Sequence, residues 1–132
     1  MPVLEWYGRT IVLGGTTVLV AEDEALVRMV TADYLREAGY RVVEVSNAAE
    51  LLKELENTSD VRVLLTDVEF PGGMDGLELA REVQRRWLGM VILVTSGRVR
   101  PTWDELPGNI GFFQKPAREQ AVVQAIKERL ER

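Results

Sequence analysis

Six side chains suited to phosphate or metal chemistry stand at or just after the ends of short apolar runs. Glu22 and Asp23 follow Thr17–Ala21, Asp67 follows Val61–Thr66, Thr95 and Ser96 close the run that starts at Met90, and Lys115 follows Ile110–Gln114. Carboxylates brought together repel, and such a cluster is stable either by raising a pKa or by holding a cation. With oxygen as the only donor type, Mg²⁺ is the cation expected, with Mn²⁺ as a substitute. The same cation would neutralise the oxygens of a transferring phosphoryl group, the main help that phosphoryl transfer requires. Asp67 is then the nucleophile, because an acyl phosphate is labile enough for a reversible signal. Lys115 adds a positive point charge facing the phosphoryl oxygens. Thr95 adds a hydroxyl donor, and Ser96 is small enough to keep access open. A lone acid after a strand is usually a solvated loop carboxylate, so the argument rests on polar residues recurring at successive run ends.

Those side chains need elements that bring them together. From about Thr16 the chain alternates short apolar runs with longer amphipathic stretches, the pattern of a parallel sheet covered by helices on both faces. Thr17–Ala21 is continuous and β-branched, as a strand buried on both sides should be. Helices are predicted over residues 25–38, 47–56, 77–87 and 118–130. In the first, Leu26, Val30 and Tyr34 form an apolar stripe, with Gly39 as a C-terminal stop. Asn47 and Glu50 make a capping box, with Ser46 the rival cap. Val122, Ala125, Ile126 and Leu130 share one face of the last helix. In an open parallel sheet ligands bind beyond the carboxyl ends of the strands. With a strand order of 2-1-3-4-5, a flavodoxin-like doubly wound five-stranded sheet, the first and third strands are neighbours. Glu22, Asp23 and Asp67 then share one crevice. Pro101 and Pro107 leave room for only a short or irregular fourth helix between them. Residues 1–16 form an extension of open role, in which Ile11–Leu13 either adds an edge strand or packs on the body, and residues 17–132 form the domain proper.

At 132 residues the chain fits one domain, and 46% hydrophobic with 28% charged residues is ordinary for a globular protein. The absence of cysteine and histidine excludes disulfides, thiolate nucleophiles, histidine-ligated zinc, a Ser-His-Asp triad and a phosphohistidine of the chain's own. Any phosphohistidine must come from a partner. A net charge of -5 argues against direct nucleic acid or membrane binding. No apolar run reaches the ~20 residues of a membrane span, and the N-terminus does not read as a signal peptide. A cytoplasmic location is the expectation.

Over Thr17 to Leu130 the sequence resembles the receiver domains of two-component response regulators. The resemblance rests on VLVAEDE, LLTDVEFPGGMDGLELA, LVTSG and FFQKP, which together are highly specific. It implies that Asp67 is the phosphoacceptor, taking its phosphoryl group from a sensor histidine kinase in a Mg²⁺-dependent reaction. It implies that Asp23, Asp67 and the backbone carbonyl of Glu69 bind the metal directly, with Glu22 acting through water. Lys115 pairs with the phosphoryl group and Lys115-Pro116 is cis. Thr95 and Phe112 form the switch pair, read out on the face of the fourth helix, fifth strand and fifth helix. A histidine phosphotransfer protein or an effector is the further partner implied. Apart from autocatalysed phosphorylation and dephosphorylation of its own aspartate, no enzyme activity is expected.

Three departures from the family pattern stand out. The loop PGGMDG holds one glycine more than the common form, Glu22 stands where aspartate is commoner, and residues 100–108 carry the prolines where the fourth helix forms the usual dimer surface. A monomer or weak dimer is therefore expected of what reads as a stand-alone domain. The rival readings are a non-phosphorylated pseudo-receiver that binds proteins and a haloacid-dehalogenase-like phosphatase. The first is disfavoured by the full set of acids and lysine. The second leaves Glu22 and Asp23 unexplained.

Overall fold

The computed structural model of the chain describes residues 3–6, 9–12, 15–69, 76–97 and 109–131, with backbone alone at 3–6 and 9–12. The expected fourth helix and the double-glycine loop lie outside the described residues. Two short strands, β1 (Val3–Trp6) and β2 (Arg9–Val12), pair antiparallel as a separate sheet. The N-terminal extension is thus a hairpin, and β2 is not an edge strand of the main sheet.

The main sheet holds β3 (Thr17–Ala21), β4 (Arg41–Val45), β5 (Val61–Asp67), β6 (Val91–Ser96) and β7 (Ile110–Gln114). All neighbours are parallel, and the order β4-β3-β5-β6-β7 is the predicted 2-1-3-4-5. The chain order reverses between β3 and β5, where a crevice opens at the carboxyl ends.

Strand alternation distributes the core over two faces. Leu19, Leu64, Ile92 and Val94 face one side, under α2 (Ala48–Asn57) and α3 (Gly76–Arg86). Val18, Val20, Val63, Leu65 and Leu93 face the other, under α1 (Ala25–Glu37) and α4 (Glu119–Leu130). The predicted capping box forms, with the Glu50 N–H donating to Asn47 Oδ1 at 2.9 Å. Its reciprocal arm takes a different donor, since Glu50 Oε1 accepts from the Ser46 N–H at 3.0 Å and from Ser46 Oγ at 2.6 Å. Gly39, at φ 100°, ends α1 as predicted.

Of the stripe predicted for α1, only Tyr34 packs against the core. Leu26 and Val30 are 76% and 55% exposed, while Ala32 and Leu35 are fully buried. Half-buried Arg28 takes the first inward position, where its guanidinium donates to the Glu22 carbonyl at 2.9 Å and lies 3.6 Å from Glu44. A charged residue with polar partners at the sheet edge shifts the apolar period by half a turn.

Candidate functional site

The end of β3 delivers two acids with opposite settings. Glu22 is buried at 5% exposure and Asp23 is exposed. The Glu22 N–H donates to the Val45 carbonyl at 3.1 Å, and Arg28 grips its carbonyl, so the main chain is fixed on both sides. Glu22 Oε2 accepts from the Glu24 N–H at 3.2 Å. Across the crevice Asp67 ends β5 at 4% exposure. One oxygen from each of Glu22, Asp23 and Asp67 can be chosen so that all three lie within 4.8 Å of one another.

Lys115 reaches into this group from just beyond β7. Its Nζ donates to Glu22 Oε1 at 2.6 Å and to Asp67 Oδ2 at 2.8 Å. Its own N–H donates to the Ser96 carbonyl at 2.8 Å, which sets the point where the side chain leaves the strand. The Lys115-Pro116 peptide bond is cis, as the resemblance implied.

Electrostatics reflect three carboxylates against one ammonium. Burial pushes the Glu22 carboxyl up to about 7; the nearby Asp67 charge adds to this, while the bonds from Lys115 and the Glu24 N–H oppose it. For Lys115, burial alone pulls downward, but the two carboxylates together hold its pKa above the usual lysine value.

The remaining Asp67 oxygen, Oδ1, accepts from the Glu69 N–H at 2.9 Å. Val68 between them is tied twice, its N–H to the Thr95 carbonyl at 2.8 Å and its carbonyl to the Gly76 N–H at 2.7 Å. Ser96 Oγ donates to Glu69 Oε1 at 2.6 Å. Thr95 pairs with Asp67 in the β5–β6 register and borders the crevice. Phe112 sits on β7 beside Val94, half-buried against the α2 and α3 side of the core. Glu22, Asp23, Asp67, Glu69, Thr95 and Lys115 therefore converge on one sheet end, and Phe112 lies one strand away.

From this polar end a cavity of about 570 Å³ runs along α1, past Leu26, Val30 and Tyr34 and against Pro116 and Val122. Sequence reading did not find the roles of Arg28, Glu69 Oε1 or the Ser96 hydroxyl in this site. Arg28 holds a backbone carbonyl, and Ser96 meets Glu69 across 27 positions, contacts that no local spacing reports.

A family profile described as the response regulator receiver domain matches residues 18–127. This chain belongs to that family. Among curated relatives it is 31% identical to the sensor protein TorS of Escherichia coli over 74% of this chain and 11% of that one. It is 30% identical to the transcriptional regulatory protein PdtaR of Mycobacterium tuberculosis over 83% of this chain and 54% of that one. The receiver domain thus spans about half or less of these relatives' length. A solved response regulator receiver protein from Sinorhizobium medicae superposes with a TM-score of 0.82 at 25% identity, covering 89% of this chain and 95% of that one. The receiver domain of the hybrid histidine kinase CckA gives 0.72 at 29% identity, covering 86% and 98%.

Receiver domains bind Mg²⁺ at an acidic pocket, and this receiver domain has the oxygen-only donor set for it in Glu22, Asp23 and Asp67. That a lysine ammonium bridges two of the three carboxylates is independent evidence that the pocket demands positive charge. Among the described residues no helix is long and apolar enough to cross a membrane.

Proposed function

We propose that this receiver domain is a phosphorylated switch, taking a phosphoryl group onto Asp67 from a phosphohistidine of a sensor histidine kinase or from a small acyl phosphate. The observation that carries this reading is the setting of Asp67, whose two oxygens are held by Lys115 Nζ and the Glu69 N–H at the switch point of the sheet. A carboxylate fixed on both sides is aimed for in-line attack. An Asp67 oxygen bonds to phosphorus as the donor's P–N or P–O bond breaks, and the leaving imidazole or carboxylate keeps the electron pair.

Asp23, Asp67 and the Glu69 carbonyl would hold Mg²⁺, with Glu22 acting through water. When bound, Mg²⁺ supplies positive charge for the phosphoryl oxygens. Lys115 pairs with a phosphoryl oxygen on the other side, and Thr95 donates its hydroxyl to another. Drawing Thr95 inward opens space into which Phe112 turns, and β7 with α4 then carries the change to an effector or a histidine phosphotransfer protein. Slow hydrolysis of the aspartyl phosphate resets the domain. Exposed Leu26 and Val30 on α1 border the cavity that leads to Asp67 and provide an apolar surface for the kinase. In this reading residues 17–132 are the receiver and residues 1–16 an appended hairpin, in a cytoplasmic protein that is monomeric or weakly dimeric.

The test is incubation with acetyl phosphate and Mg²⁺, read by intact mass. A gain of one phosphate is expected for the wild type, and none for Asp67→Asn or in excess chelator. No gain in the wild type, or a gain that persists in Asp67→Asn, overturns the reading.

A further inference from the structure

The hydroxyl of Ser96 has no role in the reading above, which needs only a small residue at that position. Yet Ser96 is 1% exposed, and its Oγ donates to the Glu69 carboxylate at 2.6 Å, the short distance of a charge-assisted bond. Ser96 also lies between the two groups that hold Asp67. Its carbonyl accepts from the Lys115 N–H, and its hydroxyl ties down Glu69, whose N–H holds Asp67 Oδ1. Among the described residues the turn at residues 68–69 has backbone anchors in Val68 N–H to Thr95 and Gly76 N–H to Val68. Both act on Val68. The bond from Ser96 acts on Glu69 itself.

We infer that Ser96 is a positioning residue for phosphoryl transfer, acting through the Glu69 carboxylate to hold the Glu69 N–H against Asp67. The inference rests on Asp67 being the phosphoacceptor. Without the hydroxyl, Glu69 loses this restraint on its side chain, and the Asp67 carboxylate more often samples orientations in which Oδ1 is not held. The same loosening reaches the Glu69 carbonyl, which is proposed to face the metal. Glu69→Gln keeps an acceptor oxygen for Ser96, whereas Glu69→Ala removes it.

The experiment is a double-mutant cycle on Ser96→Ala and Glu69→Ala, with Glu69→Gln as the conservative variant. One readout is the phosphorylation rate with acetyl phosphate at saturating Mg²⁺. The other, on unphosphorylated protein, is the proton chemical shift of the Glu69 amide. Each alanine variant should slow phosphorylation about tenfold, less than the ~100-fold cost of a full ångström's misplacement. The double variant should be no slower than either single, because both remove one interaction. Glu69→Gln, which keeps an acceptor for Ser96, should be slowed less than Glu69→Ala, and Ser96→Ala should shift the Glu69 amide upfield. A Ser96→Ala protein with the wild-type rate and an unmoved amide overturns the inference and leaves Ser96 only a small residue. Fully multiplicative effects of the two alanine changes overturn it too. If the wild type takes up no phosphate, the proposed function has failed, and the amide shift still decides whether Ser96 holds the turn.

Discussion

Gly76 opens α3 against the turn that follows Asp67, and alanine there would place a methyl group into backbone. A Cβ would stand 2.3 Å from Val68 Cα, 2.4 Å from the Asp67 carbonyl oxygen and 2.6 Å from the Val68 carbonyl oxygen. Non-bonded carbon contacts settle at roughly 3.5 Å, so α3 and the end of β5 must part by about 1 Å. No flexible side chain is available to swing aside. Gly76 is the first residue of α3, where the interior preference for alanine has little force, and the clash is with backbone, so the loss of stability is about 3 kcal/mol, the upper end of the usual overpacking cost. The rate should suffer as well, because misplacing a nucleophile by ~1 Å costs on the order of 100-fold. Gly111→Ala is the control. Its Cβ meets Leu93 Cδ2 at 2.6 Å and Arg129 Nη2 at 2.9 Å, both ends of side chains and both away from Asp67. It should lose about 1 kcal/mol by overpacking with a rate within about twofold of wild type. The assays are urea unfolding and phosphorylation by acetyl phosphate followed by mass. A wild-type rate in Gly76→Ala, or equal slowing in both variants, refutes the argument that the β5–α3 contact sets the position of Asp67.

The raised pKa of Glu22 gives a pH dependence with a defined sign. The metal-free folded state binds the Glu22 proton more tightly than the unfolded chain, so its contribution is full below pH 4.5 and is lost as pH rises to about 7. A shift of that size corresponds to roughly 3 kcal/mol. Wild type should therefore lose stability relative to Glu22→Gln across that window in urea titrations without metal, and a flat difference would count against it. Lys115→Ala should lower metal-free stability at pH 8, because removing one partner of a buried pair costs up to about 3–5 kcal/mol, reduced here by the lysine's partial exposure. Unchanged stability would mean that the bridge contributes nothing net. Asn47→Ala should cost about 1 kcal/mol through loss of the α2 cap and leave the phosphorylation rate unchanged. A slowed rate would reveal coupling from α2 to the site.

The sheet and the residues at its carboxyl end were legible because β3, β5, β6 and β7 are short apolar runs that lead into polar residues, and parallel topology converts that order into proximity. Glu22, Asp67 and Lys115 are 93 positions apart at most, yet the strand order alone brings them together. The restraints on those side chains were not legible. Arg28 at a main-chain carbonyl, Ser96 at Glu69 and Gly76 against Val68 each depend on where two segments cross, which periodicity does not encode. For the region of β1 and β2 the sequence offers only Ile11–Leu13 as an edge strand or a packing segment, since residues 1–16 lack the alternation with helices that identifies the rest.

The misread face of α1 has a cause that bears on function. Leu26 and Val30 share a helix face at a spacing of four, but Arg28, Ala32 and Leu35, at spacings of four and three, share another when an arginine is accepted at the first inward position. The structure takes the second set, because Arg28 lies at the rim, where its guanidinium meets the Glu22 carbonyl and Glu44. Placing Arg28 inward fixes the acidic turn from below, and the same rotation brings Leu26 and Val30 out beside the cavity that leads to Asp67. A leucine and a valine left this exposed are costly at roughly 25 cal/mol per Å² of apolar surface, a cost that, under the proposed function, a phosphodonor protein covering them would recover. Under the proposed function the geometry links two tasks, since the rotation that brings Arg28 to the Glu22 carbonyl also exposes Leu26 and Val30 beside the cavity that leads to Asp67.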